Sequence, residues 1–116
     1  MKKVSDMTRV EKVRVALRAI LSYYEKEFPA IYRELRIDRV ALLPPCRSRE
    51  GSIRARRDNP FHIEAIRINI NGSDEEMIRT LIHECSHIVF WEHKDRHKWL
   101  MRKLMSLPEI QRLLNG

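Results

Sequence analysis

Residues 73–91 restrict the fold of this chain more than any other stretch. Ser73-Asp74-Glu75-Glu76 reads as a helix N-cap with a glutamate three residues later, an arrangement that satisfies free amides at a helix start. Behind it Met77, Ile78, Leu81, Ile82, Cys85, Ile88 and Val89 recur at helical spacing, with Trp91 as a candidate last member. So broad an apolar face implies that the segment is largely buried. Yet His83, Glu84 and His87 sit inside this register, in the order HECSH. Polar groups carried into a buried helix are costly without compensation, and whatever fold forms must supply it.

The remaining elements are read around that helix. Val10, Val13, Leu17, Ile20, Leu21, Tyr24 and Phe28 predict a core-packing helix over 5–28, interrupted by Pro29, with a short helical turn after it. Residues 36–43, 52–57 and 62–70 are short, partly β-branched and roughly alternating, and are punctuated by Pro44, Pro45, Gly51, Asn59 and Pro60. They read as three strands. In the last, Ile66, Ile68 and Ile70 share one face with Arg67 and Asn69 on the other, while Ile63 and Ala65 break strict alternation; an edge position suits it. Asn71-Gly72 is a turn signal. Trp99, Leu100, Met101, Leu104 and Met105 begin a new helix with His97 in its first turn, and Ser106-Leu107-Pro108-Glu109 caps another. The expected class is α+β: an N-terminal helix, a small three-stranded and mostly antiparallel sheet, the HECSH helix and C-terminal helices. At 116 residues these fit a single domain over 1–116.

Composition narrows the setting. An apolar fraction of 43% and a charged fraction of 34% are those of a globular protein, and no apolar run approaches the ~18 residues of a membrane span. The charged, amphipathic N-terminus lacks the apolar core of a signal peptide, so a cytoplasmic location and no membrane partner are expected. Cys46 and Cys85 form no CxxC pair, which excludes a disulfide framework and a cysteine zinc ribbon. Both are expected to pack as small thiols. Any metal must therefore be held by histidines. The formal charge is +7, and between Arg33 and Arg57 eight arginines face only Glu34, Asp38 and Glu50. That local excess suggests an anion such as nucleic acid as a partner. A solvated basic face is the plainer reading, because stacking aromatics are missing from most of the segment.

Four of the five histidines lie between positions 83 and 97. On a helix, residues four apart stand one turn above each other, so His83 and His87 can direct imidazoles at one Zn²⁺. Glu84 lies beside them as a general base for a water whose pKa the metal lowers to about 7. The implied reaction is hydrolysis of peptide bonds in a protein or peptide substrate, whose backbone is expected to pair with the strand around Ile66 to Ile70. The third ligand is open among three residues. His97, folding back from the next helix, is preferred. His93 follows His87 at the interval of HExxHxxGxxH proteins, but Phe90 stands at the glycine position, and a helix continued through residue 93 would turn its ring away. Glu109 offers a glutamate ligand, against its competing role in a helix cap.

The order of parts resembles the SprT-like zinc metallopeptidases over roughly residues 36–105. RINI-NGSDEEMIRTLIHECSHIVFWEH looks like that family's strand, turn and active-site helix, and His97 with Met101 and Met105 like its later histidine and following helix. The resemblance implies a minimal zincin-like fold, Zn²⁺ as cofactor, His83, His87 and His97 as ligands and Glu84 as the catalytic residue. Some members of the family act on proteins attached to DNA. Lys98 stands where the family usually has glycine, and no cysteine ribbon is present. Minimal single-domain gluzincins, with a downstream glutamate ligand, are the nearest competing family. Two other functions remain open: a nucleic-acid-binding module with a structural zinc, and a latent enzyme occupied by its own tail.

Overall fold

The structure, a computed structural model, describes residues 2–45 and 50–115. Cys46, and with it Arg47 and Arg49 of the basic segment, lie outside the described residues. The expected long first helix is divided. A 3-10 turn, Val4–Asp6, precedes α1 (Arg9–Glu27), because Thr8 resets the helix start. The Thr8 hydroxyl accepts from the Glu11 amide at 3.1 Å while the Glu11 carboxylate accepts from the Thr8 amide at 3.3 Å. The short α2 (Pro29–Glu34) follows, with proline in its first turn.

The class is α+β, but the sheet differs from the expected three-stranded, mostly antiparallel one. Its four strands are β1 (Arg36–Ile37), β2 (Val40–Leu43), β3 (Gly51–Ala55) and β4 (His62–Asn69). β1 and β2 both run parallel to one edge of β4, with Ile37 opposite Ile63 and Val40 opposite Ile66. β3 runs antiparallel along the other edge, with Ile53 opposite Ile66. Residues 62–70 are therefore the centre of the sheet and not its edge. The turn residues at Asn59-Pro60 encode the β3–β4 hairpin locally, whereas parallel pairing joins segments distant in the chain and leaves no local pattern. The broken alternation in β4 also has a cause. The register against β3 slips between Arg54 and Ala55, so that Arg54 opposes Ala65 while Ala55 opposes Ile63. One extra residue, Glu64, is accommodated there, and Ile63, Ile66 and Ile68 can all be buried in the core.

α3 (Asp74–Val89), α4 (Asp95–Met105) and α5 (Pro108–Asn115) complete the chain. Ser73 caps α3 by accepting from the Glu76 amide at 3.2 Å. Largely buried, as expected, α3 packs against β3 and β4 on one side and against α1 and α4 on the others. Its Met77, Ile78, Leu81, Ile82, Cys85 and Ile88 meet Val13, Ile20 and Tyr24 of α1, Ile66 and Ile68 of β4, and Leu100 and Leu104 of α4 in one core. Two polar ties fix α1 along α3. Lys12 and Arg9 pair with Asp74 at the start of α3, and the buried Tyr24 hydroxyl donates to the Cys85 carbonyl. Trp91 falls beyond the helix and is exposed. Among the described residues no helix is long and apolar enough to cross a membrane.

Gly51 is where β3 comes closest to α3. A Cβ there would lie 2.6 Å from Thr80 Cγ2 and 2.9 Å from the Arg67 carbonyl oxygen, and a sheet carbonyl cannot swing aside. At Gly72, by contrast, the obstacle is the far end of the Glu76 side chain. Gly51→Ala is expected to destabilise the protein by about 1–3 kcal/mol in denaturant unfolding, and Gly72→Ala by less than about 0.5 kcal/mol. Equal effects would contradict the close approach of β3 to α3.

Candidate metal centre

The centre begins where α3 ends. Phe90 leaves the helix with φ −129° and ψ 99°, an extended conformation open to any L residue, while its amide still donates to the Ser86 carbonyl. No glycine is needed at this position, since the chain turns without positive φ. The Phe90 ring is anchored edge-on against Phe28, centroids 6.4 Å apart at 90°, so tertiary packing does what a helix-ending glycine does elsewhere. The freed segment then doubles back and carries His93 over the end of α3.

Three imidazoles meet there. His83 Nε2 lies 3.2 Å from His87 Nε2 and 3.1 Å from His93 Nε2, and the last two are 2.9 Å apart. Three nitrogens in mutual contact cannot all be hydrogen-bonded, because each has one in-plane site, occupied by either a proton or a lone pair. His87 settles its own tautomer by donating from Nδ1 to the Phe90 carbonyl at 3.2 Å, which leaves a lone pair on Nε2. The nitrogens can instead bind one metal ion. Metal–nitrogen bonds of about 2.0–2.1 Å at tetrahedral angles set nitrogen separations near about 3.3 Å, close to the observed triangle. A slight widening of the observed triangle is all that separates the two.

His97, the preferred third ligand from the sequence, is brought to the same place in a different role. It is buried at 1% exposure in the first turn of α4, stacks on His87 at 4.2 Å and 25°, and donates from Nε2 to the His83 carbonyl at 3.2 Å. Its Nε2 is thus turned to backbone and away from the nitrogen triangle. Glu109 is exposed in the first turn of α5 and stands outside the cluster. The rotation that would carry His93 away does not occur, because α3 stops at Val89.

Glu84 is buried at 7% exposure, and among the described residues nothing hydrogen-bonds its carboxylate. It borders a cleft of about 380 Å³ together with His83, Thr80, Gly51, Met101 and Met105. Met101 and Met105 entered the sequence reading only as part of the helix after His97, and Gly51 only as punctuation between strands, so none of the three was expected at the cleft. β3 forms one wall. The Asn69 amide donates to the Glu50 carbonyl at 2.7 Å, so antiparallel alternation turns the backbone groups of Gly51 and Ile53 away from β4, onto an edge that no described strand pairs. The strand expected to receive substrate, Ile66 to Ile70, has no such edge, for it is paired on both sides.

Burial governs the charges. It holds His83 down to about 4, helped by the neighbouring imidazoles, and lowers His87 and His97 for the same reason. All three are therefore neutral at pH 7 with lone pairs available. Desolvation also pushes the Glu84 carboxyl up to about 7. No protein-family model, no curated protein and no solved structure matches this chain.

A carboxyl raised from 4.5 to about 7 binds its proton more tightly in the folded than in the unfolded chain. Its contribution to stability is complete below pH 4.5 and is lost as the pH rises through about 7. Metal-free Glu84→Gln is therefore expected to match the metal-free wild type near pH 4.5 and to exceed it by on the order of 1–3 kcal/mol at pH 8. Thermal melts in chelator check this, and a difference that does not grow with pH would show that Glu84 is well solvated.

Proposed function

We propose that the protein is a zinc-dependent metallopeptidase in which His83, His87 and His93 hold the metal and Glu84 is the general base. One observation carries this reading: three imidazole nitrogens converge, and one of these rings, His83, borders an open cleft together with the buried carboxylate of Glu84, which no described residue hydrogen-bonds. Structural zinc sites generally have four protein ligands, whereas catalytic ones use three and leave a position open. Three nitrogens with a cleft next to them support the catalytic case over a structural zinc in a binding module.

Zinc bound there supplies Lewis acidity toward a carbonyl and brings the pKa of a water from 15.7 to about 7. The chain's own groups do the rest. Glu84, raised toward neutrality and hydrogen-bonded by no described residue, would take a proton from a water held there and return it to the departing amine. The exposed backbone of Gly51 and Ile53 can pair with an extended substrate and set its carbonyl against the cleft. Met101 and Met105 give the far wall an apolar, adaptable lining for a substrate side chain. His97 packs its ring on His87 and holds the His83 backbone through its Nε2. HExxH followed by a histidine six residues on supports a zincin-type enzyme, and the resemblance to SprT-like metallopeptidases points the same way.

Zinc content separates the two candidates for third ligand. The wild type is expected to hold about one zinc per chain, and His93→Ala to lose most of it. His97→Gln should keep the stoichiometry with affinity lowered about 10- to 100-fold, as expected of a group that orients a ligand without binding the metal. The reverse pattern would make His97 the ligand. Glu84→Gln is expected to retain zinc while cleaving an unfolded protein substrate at least about 100-fold more slowly. Undiminished cleavage by that variant would remove the proposed base.

A further inference from the structure

The face of the sheet turned away from the helices has a composition that the metal centre does not use. Ile66 and Ile68 point into the core, so Arg67 between them points out, and it opposes Ala41 on β2 and Ser52 on β3. Arg54 opposes Ala65, whose other side is flanked by Arg39, the residue before β2 whose carbonyl accepts from the Ile66 amide at 2.9 Å. Three arginines thus surround a floor of small side chains, and with strands about 4.8 Å apart the stems of Arg39 and Arg54 stand about 10 Å from each other. With Arg56 they line a shallow cleft of about 600 Å³ that also includes Asp38 and Glu64.

The acids there offset this group only in part, Glu64 through an ion pair with Arg54. Asp38 is engaged by His62 at 2.7 Å and Arg36 at 2.9 Å, and Glu64 lies 3.9 Å from Arg54. Among the described residues Arg39 and Arg67 form no ion pair. No Phe, Tyr or Trp lines the cleft, which leaves nothing for bases to stack on and no apolar anchor for a bilayer. Guanidiniums on small side chains match phosphate oxygens, and the lack of stacking partners favours a duplex over a single strand.

We propose that Arg39, Arg54 and Arg67 form a binding face for the phosphate backbone of double-stranded nucleic acid, read without regard to sequence. The face lies across the sheet from the metal centre, so it is independent of the peptidase reading and leaves the cleft free. Of the basic segment 33–57 only part contributes, and Arg67 joins it from outside.

The test is fluorescence anisotropy of the full chain with two duplexes of about 20 base pairs and unrelated sequence, across a salt series. The triple variant Arg39→Ala, Arg54→Ala, Arg67→Ala is expected to bind at least about 10-fold more weakly, with the slope of log affinity against log salt reduced by about 2–3. Arg14→Ala, Arg18→Ala, Arg102→Ala removes the same charge elsewhere and should cost less than about 3-fold. Lysine at the three sheet positions should restore most of the slope, which separates lost charge from lost fold. Equal loss in the two alanine triples, failure of lysine to restore, tighter binding to a single strand of the same length, or capture of phosphatidylserine vesicles in place of duplex would each overturn the proposal.

Discussion

The candidate site rests on three imidazole nitrogens held at mutual distances of 2.9 to 3.2 Å. No pattern of protons satisfies such a triangle, so the groups are held together by what surrounds them. The surroundings are the buried face of α3, which fixes His83 and His87 one turn apart, and the Phe90 turn, which returns His93 to them. Phe90 acts twice. Its ring packs on Phe28 and stops the helix, and its carbonyl fixes the His87 tautomer. A polar cluster in so apolar a helix would be unfavourable if its members were charged, and burial keeps the imidazoles neutral.

The sheet is organised to serve the same helix. Placing β4 in the centre buries Ile63, Ile66 and Ile68 against α3, and it leaves β3 as the strand beside the cleft. Gly51 allows β3 to approach Thr80 and Glu84 closely, so the groups that border the cleft come from a strand edge, a helix face and the methionines of α4. Desolvation of Glu84 is a product of this closeness and of no charged neighbour. The other side of the sheet is a different environment, where small side chains lie among arginines, two of which, Arg39 and Arg67, form no ion pair among the described residues. Its two faces thus separate apolar packing around the candidate metal from a surface whose chemistry is charge.

Much of this was legible beforehand where the signal was local. Ser73 with its glutamates marked the start of α3, the apolar period marked its burial, and the four-residue interval put His83 and His87 on one face. The turn at Asn59-Pro60 marked the hairpin of β3 and β4. The capping pair Thr8 and Glu11 was equally local, and the helix expected from residue 5 passed over it although its first apolar position, Val10, lies beyond the cap. The parallel partners of β4 were not legible, nor was its central position, because pairing between distant segments depends on which surfaces remain after the helices pack. The third histidine was ambiguous for the same reason: its position depends on where α3 stops, and no residue between 88 and 92 has the conformational signature of a stop.

The sequence by itself determined the helix that carries HECSH, the neighbours one turn apart on it, and the basic excess of the chain, since each follows from spacing and composition. Tertiary structure decided which further imidazole completes the triangle, which strand borders the cleft, and which arginines share a face. Those outcomes rest on contacts between residues far apart in the chain, Phe28 with Phe90, Gly51 with Thr80 and Arg67 with Ser52, whose energies exist only once the core has brought them together.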